Sequence, residues 1–83
     1  MTTTLNVIVV DDEALARQRL RTLLGDCPDP LVYVSGEAAD AVSAMTLLQH
    51  RPCDVVLLDI HMPGTTGLQL ARAVRQLPNP PLV

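Results

Sequence analysis

Leu5-Asn6-Val7-Ile8-Val9-Val10-Asp11-Asp12-Glu13 is an aliphatic, largely β-branched run that stops abruptly on three acids. With Asn6 as its only polar break, Leu5 to Val10 reads as a strand buried on both faces, the pattern of a parallel strand covered by helices. Val55-Val56-Leu57-Leu58-Asp59 repeats the design, wholly apolar and again ending on an acid. The segments between these runs have helical length. From Ala14, the apolar positions Ala16, Leu20, Leu23 and Leu24 recur at helical spacing, Arg17, Gln18 and Arg21 take the other face, and Gly25 supplies a stop. Asp26-Cys27-Pro28-Asp29-Pro30 reads as a loop, because its two prolines lack N–H donors and restrict their neighbours. Leu31 to Val34 then predicts a second strand, broken by Ser35-Gly36-Glu37.

A second helix is expected from about Asp40 to His50, with Ala41, Ala44, Met45 and Leu48 on one stripe and Arg51-Pro52 after it. Met62-Pro63-Gly64-Thr65-Thr66 reads as a turn, with Thr66 as the cap of a third helix from Gly67 to about Leu77 that buries Leu70, Val74 and Leu77. Pro78-Asn79-Pro80-Pro81 leads into Leu82-Val83, the start of a fourth strand. This alternation predicts an α/β fold, a doubly wound parallel sheet with helices on both faces, since parallel neighbours need a crossover.

Composition agrees and narrows the function. The chain has 83 residues, no Phe or Trp and one Tyr, so its core must be aliphatic. A single domain of this size buries only roughly 60–65% of its unfolded surface. The net charge of −3 argues against a nucleic-acid or anionic-membrane partner, either of which calls for clustered basic residues. No apolar run approaches the roughly 20 residues that span a bilayer, and Met1 to Asn6 lacks the features of a signal peptide, so a cytoplasmic location is expected. Cys27 and Cys53 have neither CxxC spacing nor a His cluster beside them, and are expected to be reduced thiols.

In such sheets ligands bind outside the carboxyl ends of the strands. Asp11 and Asp12 follow the first strand and Asp59 the third; if those strands are neighbours, three carboxylates converge. Crowded like charges repel, and a hard cation with oxygen ligands, Mg2+ before zinc or copper, relieves them best. A carboxylate beside Mg2+ is also a competent nucleophile toward phosphorus. Each acid has a plainer reading as well: Asp11 or Asp12 could cap the first helix, and Asp59 could form a turn. His50 reads as a surface residue at a helix end, Met45 and Met62 as packing residues, and Arg17, Arg21, Arg72 and Arg75 as solvated helix faces.

Val9-Val10-Asp11-Asp12-Glu13 and Val56-Leu57-Leu58-Asp59-Ile60-His61-Met62-Pro63-Gly64, with Gly67 beyond, together resemble the acidic pair and phosphorylation loop of response-regulator receiver domains of two-component signalling. The resemblance spans all 83 residues. It implies a flavodoxin-like sheet of strand order 2-1-3-4-5, of which residues 1–83 would be the N-terminal two-thirds: three βα units and the start of strand 4, with no output domain. It implies Asp59 as phosphoacceptor; Asp12, Asp59 and the His61 backbone carbonyl as Mg2+ ligands; and Asp11 acting through a metal-bound water. The phosphoryl group would come from a histidine kinase or a small phosphodonor, and the module would act as a switch for transcription regulation, itself not an enzyme. Arg17, Gln18 and Arg21 would lie on the helix that meets the kinase. Asp11-Asp12-Glu13-Ala14-Leu15-Ala16-Arg17, followed by Leu20, Arg21 and Leu24, is similar to the LytR/AlgR-type branch, whose members usually carry a DNA-binding domain.

The family also places a Thr or Ser after strand 4 and a Lys after strand 5; both positions lie past Val83, and the chain holds no Lys. An ending inside an apolar strand leads us to expect self-association through the unfinished sheet. Two alternatives compete: a Mg2+-dependent aspartate-nucleophile phosphohydrolase, which needs a second acid where His61 stands, and a non-phosphorylated interaction or dimerisation module.

Overall fold

The computed structural model describes residues 4–26, 31–59 and 67–83. The elements run β1 (Thr4–Val10), α1 (Ala14–Gly25), β2 (Leu31–Ala38), α2 (Ala41–His50), β3 (Val55–Leu58) and α3 (Gly67–Arg75). The three strands form one open parallel sheet of order β2-β1-β3. Because β1 lies in the middle, its aliphatic run has neighbours on both edges and helices on both faces, and Val7 to Val10 are buried. Ile8 and Val10 point to the face shared with Val56 of β3, Ala44 of α2, and Leu70 and Val74 of α3, which together make the main core. Met45, Leu48 and Leu77 pack around it at half burial. Among the described residues, no helix is long and apolar enough to cross a membrane.

β2 departs from the expectation that it would stop at Val34. Val7 pairs with Val34 and Ile8 with Gly36, so Ser35 is an extra residue in a bulge and the strand runs on to Ala38. The physical reason lies in two residues that look like turn formers. The buried Ser35 hydroxyl donates to the Pro52 carbonyl at 2.8 Å, and its own carbonyl accepts from Arg51 Nη1 at 2.8 Å, so its polar atoms are satisfied inside the fold. At Gly36 a Cβ would stand 3.1 Å from Leu47 Cδ1, a tight contact that Leu47 of α2 would have to ease by a few tenths of an ångström. The extension sets Glu37 beside Val9 and Ala38 beside Val10, next to the acids that end β1.

α1 also differs from the helix expected. It buries no residue fully: Ala16, Arg17, Leu20 and Leu24 are half-buried, and Leu23 is 64% exposed. The stripe facing the sheet thus includes Arg17 in place of Leu23. α2 behaves as its pattern predicts, and His50 at its end lies against the Thr46 carbonyl at 2.9 Å. Cys53 is a half-buried free thiol whose Sγ lies 3.2 Å from the Val55 carbonyl, and burial pushes its pKa up, which suits a packing role. After α3, Asn79 takes a left-handed conformation (φ 53°), and Leu82 lies parallel to Val55, donating to the Asp54 carbonyl and accepting from Val56 N–H. The cap expected at Thr66 and the turn from Met62 fall outside the described residues, as does Cys27.

Asp40 caps α2, its Oδ1 accepting from Ser43 N–H at 2.7 Å. The Ser43 backbone N–H, and then the Ser43 hydroxyl, hold the Asp40 carboxyl below its ordinary pKa. A depressed folded-state pKa contributes stability that is present above the unfolded-state value and is lost as pH falls through the folded one. Asp40→Ala is therefore expected to unfold at lower urea than wild type at neutral pH, with the gap closing as the solution is acidified below the ordinary carboxylate range. A gap independent of pH would show that the ionised cap contributes nothing.

Candidate functional site

The acids at the strand ends meet because β1 and β3 are neighbours in register. Val10 pairs with Leu58, and one residue further the Asp59 N–H donates to the Val10 carbonyl at 3.0 Å. On the other side, Asp11 N–H donates to the Ala38 carbonyl at 3.0 Å, so the first acid is tied to the extended end of β2. The result is that one carboxylate oxygen from each of Asp11, Asp12 and Asp59 lies within 4.8 Å of the others. Asp11 and Asp59 are half-buried and Asp12 is exposed. Asp11 and Asp59 also line an open cleft of about 490 Å³, together with Val10, Glu13, Ala16 and Leu57 among others, between α1 and β3.

The capping alternative is part of the same arrangement. Asp11 Oδ1 accepts from Glu13 N–H at 2.9 Å and so shapes the entry to α1, while Glu13, the residue before the helix, makes no side-chain cap. Asp11 does local structural work and also faces the other two acids. The donor set is all carboxylate, open to solvent on the Asp12 side, and suits a hard divalent cation better than zinc or copper. His61, whose carbonyl was expected to complete the set, lies outside the described residues.

Two arginines of α1 depart from the expectation of solvated helix faces. Arg17 is not a solvated helix residue: its Nη1 donates to the Asp11 carbonyl at 2.6 Å and its Nε lies 3.5 Å from Glu37 Oε1. Arg21, also expected to be solvated, sends Nη2 to within 3.1 Å of Glu37 Oε2 while remaining largely exposed. Their signal in the sequence was the one-turn spacing of Arg17 and Arg21, which becomes legible only once β2 is known to carry Glu37 up to the acids.

Comparison with known proteins gives consistent matches. The family described as the response regulator receiver domain matches residues 7–83. The positive alginate biosynthesis regulatory protein of Pseudomonas aeruginosa is 43% identical over 79 residues, covering 95% of this chain and 32% of that protein. The cyclic di-GMP phosphodiesterase response regulator RpfG of Xanthomonas campestris is 41% identical over 76 residues, covering 90% of this chain and 19% of that protein. The solved response regulatory domain of mrkE from Klebsiella pneumoniae superposes with a TM-score of 0.80 at 32% identity, over 93% of this chain and 62% of that one. The chain thus spans about a third or less of the length of these curated relatives.

Proposed function

The chain belongs to the response regulator receiver domain family, and we propose that it is a phosphoacceptor module that takes a phosphoryl group on Asp59. The observation that carries this reading is the convergence of Asp11, Asp12 and Asp59 at the ends of adjacent strands. Asp12 and Asp59 would hold Mg2+ directly, with the His61 carbonyl, and Asp11 would act through water. When bound, the cation supplies positive charge against the oxygens of the incoming phosphoryl group.

The rest follows from the chain's own residues. An Asp59 carboxylate oxygen attacks phosphorus in line with the bond to the donor; that bond breaks, its electron pair leaves with the donor, and an acyl phosphate remains on Asp59. The donor would be the phosphohistidine of a histidine kinase, whose imidazole leaves and takes up a proton, or a small phosphoramidate. Asp11, anchored through its N–H to Ala38 and through Oδ1 to Glu13, supplies fixed negative charge that favours the cation.

What the module would control differs among its relatives, which are named as a positive regulatory protein of alginate biosynthesis in one case and a cyclic di-GMP phosphodiesterase response regulator in another. The similarity of Asp11 through Arg17 to the LytR/AlgR-type branch, together with the match to the alginate regulator, favours a transcriptional output. Incubation with Mg2+ and a small phosphodonor, followed by intact mass, tests the proposal. A gain of one phosphoryl group that needs Mg2+ is expected in wild type, with no gain in Asp59→Asn; equal gain in both would remove Asp59 from the role.

A further inference from the structure

Asp11 is held at both of its backbone polar groups. Asp11 N–H is fixed to Ala38 of β2, and the Asp11 carbonyl is fixed to Arg17 Nη1 at 2.6 Å. That carbonyl lies in one rigid plane with the Asp12 N–H and Cα, so holding both polar groups of Asp11 restricts the Asp11 torsions and fixes the point from which the exposed Asp12 departs. The guanidinium is itself held. Its Nε faces Glu37 Oε1, and Glu37 stands at this height only because β2 continues past the Ser35 bulge. The second Glu37 oxygen is taken by Arg21. Arg17 is the better buried of the two arginines, with 19% of its side chain exposed against 58% for Arg21, so its link is less screened than an ordinary surface pair.

We propose that Arg17 is a positioning residue for the acidic pair: anchored by Glu37, it orients the Asp11–Asp12 peptide so that the two carboxylates face Asp59 and can share one cation. The inference rests on the cation-binding reading given above. Its particular content is a sign. Arg17 carries a positive charge close to three carboxylates, and by charge alone its removal would strengthen cation binding. Positioning demands the opposite, because loss of an outer partner that orients metal ligands weakens a site.

Mg2+ titration of the chain, followed through the backbone amide signals of Asp12, Glu13 and Asp59, separates the two. Arg17→Gln is expected to bind Mg2+ about 10-fold more weakly than wild type. Arg21→Gln removes the same charge from the same Glu37 without touching the Asp11 carbonyl, and is expected to bind as wild type does. Arg17→Lys keeps the charge but not the planar fork that reaches both partners, and should fall between wild type and Arg17→Gln. Wild-type or tighter binding in folded Arg17→Gln would overturn the proposal. If that variant does not fold, Arg17→Lys carries the test, and wild-type affinity there would overturn it equally. Failure of the underlying reading looks different: wild type itself would show no saturable Mg2+ binding, and Asp12→Ala would titrate identically.

Discussion

Asp12→Ala is expected to weaken Mg2+ binding by about 100-fold, the upper end of what even an outer partner costs a metal site when removed, while leaving the fold intact. Asp12 is exposed, at the open side of the cluster, and lies outside the core of Ile8, Val10, Val56 and Leu70. Its carboxylate would be a direct ligand, so its loss takes both a donor atom and a unit of charge from the cation. Removing one of three crowded acids also relieves repulsion in the metal-free protein, so its thermal unfolding should be unchanged or slightly later. The pairing of weaker binding with undiminished stability is the mark of a residue kept for a ligand. Isothermal titration alongside thermal unfolding reads both. Undiminished Mg2+ affinity in the variant would take Asp12 out of the coordination set.

Ile8→Ala should have the largest effect on stability. Ile8 is fully buried at the centre of β1, between β2 and β3, and it meets α2 and α3 through the main core. Truncating a buried Ile to Ala costs about 2–5 kcal/mol, from lost burial and from the cavity left behind. A chain of this length has a total stability of roughly 4–12 kcal/mol, so the loss is a large fraction of the whole and the variant should unfold at clearly lower urea than wild type. Leu23→Ala is the matched control: at 64% exposure on α1 it should change stability by less than about 0.5 kcal/mol. Urea titration of both variants by circular dichroism decides the matter. Similar losses in the two would mean that the core is not where Ile8, Val56 and Leu70 place it.

Much of this was legible in the sequence because the signals were local. The runs Leu5 to Val10 and Val55 to Leu58 carry their strand character in every residue, and an acid directly after each is placed by the strand that precedes it. Asp11, Asp12 and Asp59 could thus be nominated together, and parallel pairing of β1 with β3 makes them neighbours. Ala41, Ala44, Met45 and Leu48 were equally plain, being spaced for one helix face.

What escaped depends on partners distant in sequence. Ser35 and Gly36 have turn chemistry when read alone; only the Pro52 carbonyl and the approach of Leu47 explain why they sit inside a strand. Arg17 looks like a solvent-facing arginine until Glu37 arrives beside it, and Glu37 arrives only through that bulge. Leu23 was placed on the buried face by spacing alone, whereas the sheet-facing stripe of α1 runs through Ala16, Arg17, Leu20 and Leu24. The misplaced end of β2 therefore hid the partner of Arg17, while the placement of Leu23 was a separate matter of helical spacing.

The central claim is that Asp59 itself carries the phosphoryl group, and chemical trapping of the acyl phosphate tests it most directly. Borohydride reduces an aspartyl phosphate to homoserine at the modified position, so peptide mapping after incubation with Mg2+ and a small phosphodonor names the residue. Homoserine is expected at position 59, dependent on Mg2+ and absent from Asp59→Asn. Reduction at any other acid, or none at position 59 after prolonged incubation with Mg2+ bound, would contradict it.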